Sequence, residues 1–209
     1  MSGAPQDGAP RASAVALVGF MAAGKSAAGR LAAKRLRMPF IDTDALIEAR
    51  EGPIAEIFAL RGEQVFRGLE RDVVVEALER ALREPCIVAL GGGAVLSGDV
   101  REALGRLPHV AWLTAPADVL WARARAASPG GRPLARDEQA FRRLLEERND
   151  LYRRVASVEV LNDGSRALAA VADEIVALAA VTREIAALAA DGGVDGALDP
   201  ARGRGEDRG

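Results

Sequence analysis

GFMAAGKSAAG, residues 19–29, follows the apolar run AVALV of residues 14–18 and fits the pattern G-x-x-x-x-G-K-[ST]. In a loop of this kind, successive backbone N–H groups and the N-terminus of the next helix surround phosphate oxygens. Lys25 then reaches the β- and γ-phosphates of a nucleotide, and the Ser26 hydroxyl binds Mg²⁺. A strand is predicted before the loop and a helix after it, so we favour a phosphate site over a plain strand-to-helix turn.

Two alanines stand inside this loop, at positions where flexible residues are common. Ala22 and Ala23 each keep a backbone N–H group, so neither of them removes a donor to phosphate. Alanine is acceptable in the loop when its φ angle is negative, whereas a positive φ would cost roughly 1–2 kcal/mol. The loop is therefore unstrained only if φ is negative at both positions.

The composition of the 209-residue chain is that of an ordinary globular protein, one domain with tails. The formal net charge of −2 gives no basic surface for nucleic acid, and the single cysteine excludes a disulfide framework. No apolar run approaches the length of about eighteen residues that a membrane span requires. We expect a cytoplasmic protein with neither nucleic-acid nor membrane partners. Only Lys25 and Lys34 among the 28 basic residues are lysines, which favours a function for the lysine in the loop.

Strand-like runs alternate with helical patterns, which predicts an α/β protein with a parallel sheet covered on both faces. Ligands bind such sheets at the carboxyl ends of the strands, where the motifs of this chain fall. Residues 127–137 form a candidate lid, residues 1–13 a disordered leader, and residues 181–209 a helical extension followed by a disordered tail. The predicted strands are 14–18, 39–41, 86–90, 110–113 and 157–161, and the predicted helices are 25–37, 45–60, 63–83, 99–106, 116–127, 138–156 and 166–180.

Asp42 and Asp44 flank Thr43 in FIDTDALIE, at the mouth of the second predicted strand. One carboxylate at such a place can organise Mg²⁺ through water, and the other can accept hydrogen bonds from substrate hydroxyls and orient the attacking one. Helix capping is the alternative, because Asp and Thr are good N-cap residues. The phosphate loop upstream favours the functional interpretation.

Three further motifs suit a small anionic substrate. Arg67 and Glu70 lie three residues apart on a predicted helix, so Glu70 can orient the guanidinium to bind a carboxylate, although surface ion pairs are common at this spacing. Gly91–Gly93 let a ligand approach the backbone, and a strand-to-helix turn is the alternative. Arg132, in the candidate lid, suits a mobile cation that closes on the transferring phosphate.

From about Ala14 to Val171, the chain closely resembles the shikimate kinase family. The resemblance implies a three-layer P-loop kinase fold of the nucleoside-monophosphate-kinase type, with a five-stranded parallel sheet in the order 2-3-1-4-5. It also implies ATP-dependent phosphorylation of the shikimate 3-hydroxyl, a step of aromatic amino-acid biosynthesis. The motifs that carry it are GFMAAGKS, Asp42-Thr43-Asp44, F-x-x-x-G-E-x-x-F-R-x-x-E from Phe58 to Glu70, Gly91-Gly92-Gly93-Ala94-Val95, Arg132-Pro133-Leu134, and Glu147-Arg148 followed by Leu151-Tyr152.

The resemblance also implies roles for individual residues. Ser26 would bind the metal directly and Asp42 would hold it through water. Lys25, Asp44 and Arg132 would be catalytic, with Asp44 accepting the proton and Arg132 closing over the phosphates. ATP would be bound by Ala22, Ala23, Gly24, Lys25, Ser26, Ala27 and Arg132, with Arg123 or Arg166 as the adenine contact. Shikimate would be bound by Asp44, Arg67, Gly91, Gly92, Gly93 and Arg148, of which the two arginines clamp the carboxylate.

The implied partners are ATP and shikimate, with Mg²⁺ as cofactor and a monomer as the active unit. One alternative is another small-molecule kinase, such as a gluconate kinase, whose substrate also carries a carboxylate; Arg67, Gly91–Gly93 and Arg148 favour shikimate. A second alternative is a non-catalytic ligand-sensing module attached to DNA-binding helices. The first thirteen residues cannot form a helix-turn-helix, which speaks against it.

Overall fold

A computed structural model of the chain describes residues 13–127 and 137–191. Within them, each strand is followed by one or two α-helices, and a short 3₁₀ helix, Ala94–Leu96, lies directly after the third strand. Residues 1–12 of the predicted leader, 128–136 of the candidate lid and 192–209 of the predicted tail lie outside the described residues. The strands are β1 Val15–Val18, β2 Phe40–Asp42, β3 Ile87–Ala89, β4 His109–Thr114 and β5 Val158–Leu161, and the helices are α1 Lys25–Leu36, α2 Thr43–Glu51, α3 Ile54–Ala81, α4 Gly98–Gly105, α5 Ala117–Ala126, α6 Glu138–Val155 and α7 Leu168–Asp191.

The five strands form one parallel sheet in the order β2-β3-β1-β4-β5, which confirms the predicted topology. The central strand β1 places Val15 opposite Ile87 of β3 and His109 of β4. All four residues of β1 are buried, as expected for a strand covered on both faces. Because the strands are parallel, their carboxyl ends share one edge, where the phosphate loop follows β1, Asp42 ends β2 and Gly91–Gly93 follow β3.

Helices cover the sheet and complete the main apolar core. α1 packs against α7, while α4 packs against both α3 and α6. Leu17, Ile87, Leu113 and Ile175 are fully buried at the centre of this core. Within the described part of the chain, no helix combines the length and the apolar character needed to cross a membrane.

The prediction of one helix over residues 45–60 is wrong. α2 ends at Glu51, because Gly52 adopts a φ of 89° and Pro53 has no N–H group to continue the helical hydrogen bonds. α3 then begins at Ile54 and runs through the break that the sequence predicts near residue 61. There, Gly62 has non-helical angles, φ 81° and ψ 168°, so it kinks the long helix without ending it.

A second, smaller apolar cluster lies beside the main core. It is formed by Ile47 of α2 with Ile57, Phe66 and Val73 of α3. Farther along α3, residues such as Leu78 belong to the main core. The N-terminal half of α3 therefore packs with α2 around a small core of its own.

Candidate active site

The phosphate loop between β1 and α1 contains two residues in the left-handed region. Ala22 has a φ of 61° and Gly24 a φ of 91°. The first value violates the condition for an unstrained loop, because an alanine in this region costs roughly 1–2 kcal/mol. Left-handed residues are typical of the anion-binding nests of other proteins, and two of them flank Ala23 here.

Hydrogen bonds within the loop fix its shape. The Ala23 N–H group donates to the Phe20 carbonyl at 3.3 Å, so this predicted phosphate donor closes a turn inside the loop. Lys25 Nζ donates to the carbonyl oxygens of Gly19 at 2.7 Å and of Phe20 at 2.9 Å. These bonds fold the lysine side chain back over the loop that precedes it.

Lys25 is nearly buried, with 9% of its surface exposed, and it is surrounded by charged groups. Burial lowers the pKa of its ammonium group to about 8, although the carboxylates of Asp44 and Asp42 act in the opposite direction. The positive charge of Arg148 lowers the pKa of Lys25 further. Residues from three distant segments of the chain thus share one electrostatic environment.

The N-terminus of α1 provides donors for an anion. Its N-cap is Gly24, which has no side chain to satisfy the N–H groups of the first turn. Ser26 and Ala27 in that turn are exposed, and the Ala28 N–H group is already bonded to the Gly24 carbonyl at 2.9 Å. The free N–H groups and the positive end of the helix dipole favour phosphate at this position.

The two aspartates lie where β2 passes into α2, and they differ in their contacts. Asp42 Oδ1 accepts a hydrogen bond from the Ala45 N–H group at 3.4 Å, so Asp42 does cap α2. Between the aspartates, the buried Thr43 accepts a hydrogen bond from the Gly91 N–H group at 3.0 Å. The Asp44 carboxylate lies so close to Gly91 that a Cβ there would collide with it.

Ser26 and Asp42 offer the hydroxyl and carboxylate oxygens that a hard cation prefers. Asp42 retains a second carboxylate oxygen besides the one that caps α2. Throughout residues 13–127 and 137–191, no group of three or more His, Cys, Asp and Glu side chains could hold a metal ion. Such a sparse donor set fits Mg²⁺, which proteins commonly bind through one or two carboxylates together with phosphates and water.

The backbone of the three glycines after β3 is the point where these segments meet. An added Cβ on Gly91 would lie 2.8 Å from Glu70 Oε1, besides colliding with Asp44. A Cβ on Gly92 would lie 3.3 Å from the Met21 nitrogen in the phosphate loop. Absence of side chains here lets two acidic groups and the phosphate loop approach the same short stretch of backbone.

Arg67 is oriented by carboxylates and an aromatic ring. Its Nη1 donates to Glu70 Oε2 at 2.6 Å, and its Nε donates to Glu63 Oε1 at 3.2 Å. Glu70 is only 3% exposed; burial raises the pKa of its carboxyl group, and Arg67 partly offsets that effect. The guanidinium carbon lies 5.3 Å from the centre of the Phe66 ring, and a Cβ on Gly93 would collide with the guanidinium. The Arg67–Glu70 pair is therefore an oriented, partly buried pair, unlike an ordinary surface ion pair.

Arg148 of α6 also reaches the triple glycine. Its Nη1 donates to the Gly92 carbonyl at 3.2 Å, and the Tyr152 hydroxyl donates to the same oxygen at 2.6 Å. Arg148 is 6% exposed and lies over the Phe20 ring, 5.7 Å from its centre. Its Nε is buried and has no hydrogen-bond partner among the described residues.

Both candidate adenine contacts border the loop that follows β5. Arg123 Nη1 donates to the Asn162 carbonyl at 2.7 Å. Arg166 Nη2 donates to the preceding carbonyl, that of Leu161, at 2.5 Å, and Arg166 also pairs with Glu174. The two alternatives thus mark a single place in the fold.

Three further side chains hold this site together: Asn162 has no role in the sequence prediction, and Thr43 and Tyr152 appear in it only as a possible helix cap and a motif member. Thr43 and Tyr152 bond to the triple glycine, and Asn162 bonds to the phosphate loop. Asn162 could have been noticed as a polar residue directly after a predicted strand. Nothing in the sequence indicates the bonds that Thr43 and Tyr152 make. Arg132 lies outside the described residues, so the structure gives no position for it relative to the others.

Comparisons with known proteins show the family to which the chain is similar. The profile of the shikimate kinase family matches residues 21–180. A shikimate kinase of Symbiobacterium thermophilum is 42% identical over 166 residues, which cover 78% of this chain and 93% of that protein. A shikimate kinase from Acinetobacter baumannii, solved in complex with shikimate, aligns with a TM-score of 0.72 and 34% identity over 81% of this chain and 93% of that one.

A gluconokinase from Sinorhizobium meliloti also aligns, with a TM-score of 0.56 over 85% of this chain and 97% of that one. Its identity to this chain is 21%, so the likeness shows the fold alone.

Proposed function

The chain belongs to the shikimate kinase family, and we propose from this premise how it transfers the γ-phosphoryl group of ATP to the 3-hydroxyl of shikimate. The observation that best supports the assignment of residues is the convergence of two arginines and an aspartate on the triple glycine, beside the phosphate loop. Shikimate carries a carboxylate at one end and hydroxyl groups at the other. The site offers cations and an acid for these two ends.

Arg67 and Arg148 bind the carboxylate of shikimate. A guanidinium donates two parallel hydrogen bonds to a carboxylate, and such charge-assisted bonds are stronger where water is scarce. Glu70 orients Arg67, while Arg148 is buried with an Nε that has no partner within the described residues. An acceptor without a carboxylate would leave the buried Arg148 poorly satisfied, which disfavours uncharged polyols.

Asp44 receives the hydroxyl end of the substrate. Its carboxylate lies against Gly91, close enough to Lys25 to affect the pKa of the ammonium group. From there it accepts a hydrogen bond from the 3-hydroxyl and takes the proton as the oxygen attacks phosphorus. Phosphoryl transfer needs little covalent help, so holding the hydroxyl in line with the phosphate is the main contribution of this residue.

The phosphate loop binds ATP. N–H groups of the loop and of the first turn of α1 surround the phosphates, and the Lys25 ammonium neutralises charge on the β- and γ-phosphates. When bound, Mg²⁺ would be held by Ser26 directly and by Asp42 through water, and it would neutralise further phosphate charge. The same donors stabilise the charge that spreads over the transferring group.

The remaining assignments rest on the sequence together with this premise. Arg132 closes over the phosphates and slows loss of the transferring group to water. Arg123 or Arg166 contacts the adenine at the loop after β5. The monomeric state and the cytoplasmic location stay predictions from the sequence.

A coupled assay of ADP release tests the function, with shikimate, gluconate and an uncharged polyol offered at equal concentrations. We expect turnover with shikimate and little with the others; absence of turnover with shikimate would refute the proposal. Faster turnover with gluconate would support a gluconate kinase. Shikimate binding by isothermal titration, without any phosphorylation, would support a ligand-sensing module.

Two arginines of α3 allow a matched test of the carboxylate clamp. Arg67→Ala is expected to raise KM for shikimate about 10- to 100-fold, since bonds to charged groups contribute about 1.5–3 kcal/mol. Arg61→Ala removes an exposed ion pair with Glu51 and is expected to change KM by less than about twofold. Equal effects of the two substitutions would contradict the role of Arg67.

Substitutions in the phosphate site test the transfer step separately. Lys25→Ala is expected to lower kcat by about two orders of magnitude or more, because the phosphates lose their principal side-chain cation. Arg132→Ala is expected to slow transfer with little change in KM for shikimate. An unchanged kcat in the second variant would contradict the lid role of Arg132.

A further inference from the structure

We propose that Asn162 is a positioning residue that holds the phosphate loop in the shape that binds nucleotide; the proposal rests on the proposed use of ATP. Asn162 directly follows β5 and is 6% exposed. Its side-chain Nδ2 donates to the Ala23 carbonyl at 2.8 Å, joining segments 139 positions apart in the chain. The bond connects the loop after β5 to the phosphate loop.

The geometry of the peptide group gives this bond its effect. In a trans peptide, the C=O and N–H groups point in opposite directions, and the described residues contain no cis peptide. Because Asn162 holds the Ala23 carbonyl, the Gly24 N–H group of the same peptide points away from Asn162. In loops of this kind, such N–H groups face the phosphate. If the peptide turned over, a carbonyl oxygen would face the phosphate and repel it.

Contact with Gly24 is a second restraint on the same peptide. An added Cβ on Gly24 would collide with Asn162 Nδ2, so the amide lies directly against the glycine. Gly24 also has a φ of 91°, which glycine adopts without strain. The side chain of Asn162 thus both bonds and packs against the peptide that joins Ala23 to Gly24.

Asn162 can serve as a support because its own backbone is fixed. Its N–H group donates to the Thr114 carbonyl at the end of β4 at 2.8 Å. Its carbonyl accepts the bond from Arg123 of α5 at 2.7 Å. Arg123 is one of the two candidate adenine contacts, so Asn162 sets the position of the phosphate loop relative to the proposed base site.

Two substitutions separate hydrogen bonding from packing at this position. Asn162→Leu keeps the volume of the side chain and removes the donor, whereas Asn162→Ser keeps a donor in a smaller side chain. Leu161→Ser is the control, since the neighbouring Leu161 is 44% exposed. Each variant is assayed for its Kd for ADP by isothermal titration, its KM for shikimate, and its Tm without nucleotide. Asn162→Ala replaces the leucine variant if that variant does not fold.

We expect Asn162→Leu to weaken ADP binding about tenfold, equivalent to about 1.4 kcal/mol, with KM for shikimate changed less than about twofold. Asn162→Ser and the control should lose less than about threefold in ADP affinity. Unchanged ADP binding in Asn162→Leu would overturn the proposal, and so would an equal loss in Asn162→Ser. If the wild-type protein fails to phosphorylate shikimate, the proposed function fails, while ADP titration still tests Asn162.

Discussion

Replacing Ala22 by glycine is expected to cost less stability than the usual alanine-to-glycine change. Ala22 has a φ of 61°, a conformation that disfavours a Cβ and suits glycine. Ala49 provides the matched comparison, since it is an exposed residue inside the helix α2. The same chemical change at the two positions differs chiefly in the sign of φ.

The expected difference in the free energy of unfolding comes from the effects that the two substitutions do not share. Ala49→Gly is expected to cost about 1 kcal/mol, as glycine does in helix interiors. Ala22→Gly gives the unfolded chain the same extra entropy, which lowers stability. It also relieves roughly 1–2 kcal/mol of strain in the folded protein. Loss of the half-buried methyl group of Ala22 lowers the stability of this variant by about 0.4 kcal/mol. Ala22→Gly should therefore be more stable than Ala49→Gly by about 1 kcal/mol.

Urea unfolding of the ligand-free protein, followed by circular dichroism, measures this difference, with thermal unfolding as the second measurement. In proteins of about 150–250 residues, 1 kcal/mol corresponds to about 2–4 °C in Tm. The two variants and the wild-type protein are compared at equal concentration. Equal losses of stability in Ala22→Gly and Ala49→Gly would show that the left-handed conformation of Ala22 costs no stability.

Three further substitutions or reactions test other features of the structure. Gly93→Ala should displace the Arg67 guanidinium and raise KM for shikimate about tenfold; an equal rise in KM for ATP in steady-state kinetics would contradict this. Tyr152→Phe removes the hydrogen bond to the Gly92 carbonyl and should lower the free energy of unfolding in urea by about 1 kcal/mol; no loss would show that the bond contributes nothing. Burial raises the pKa of Cys86 to about 11, so a disulfide reagent at about pH 8 should label the native protein on the order of 100-fold more slowly than the unfolded protein. Rapid labelling of native Cys86 would contradict its burial.

Much of the fold could be predicted because its signals are local. Short apolar runs alternate with helical patterns, and the resemblance to shikimate kinases supplied the strand order that the structure confirms. The single helix predicted over residues 45–60 is wrong because Gly52 and Pro53 end α2 at Glu51. The positive φ of Ala22 does not follow from the sequence, since backbone angles in a loop depend on the bonds that the whole loop makes.

The site was predictable as a set of residue types but not as a set of contacts. Sequence spacing gave the Arg67–Glu70 pair, because residues three apart on a helix are neighbours. It gave no sign that Thr43, Tyr152 and Asn162 would bond to backbone groups far away in the chain. Such bonds depend on tertiary packing, which brings side chains to carbonyl and N–H groups that every residue possesses.

The small apolar cluster of α2 and α3 connects substrate binding to the stability of the fold. Arg67 directly follows Phe66, which belongs to that cluster. Arg148 lies on α6, and the Phe141 and Tyr152 side chains of this helix belong to the main core. A carboxylate held by both arginines would tie the two cores together. Because a ligand that binds only the folded form adds its binding free energy to stability, shikimate would act as a reversible cross-link between them.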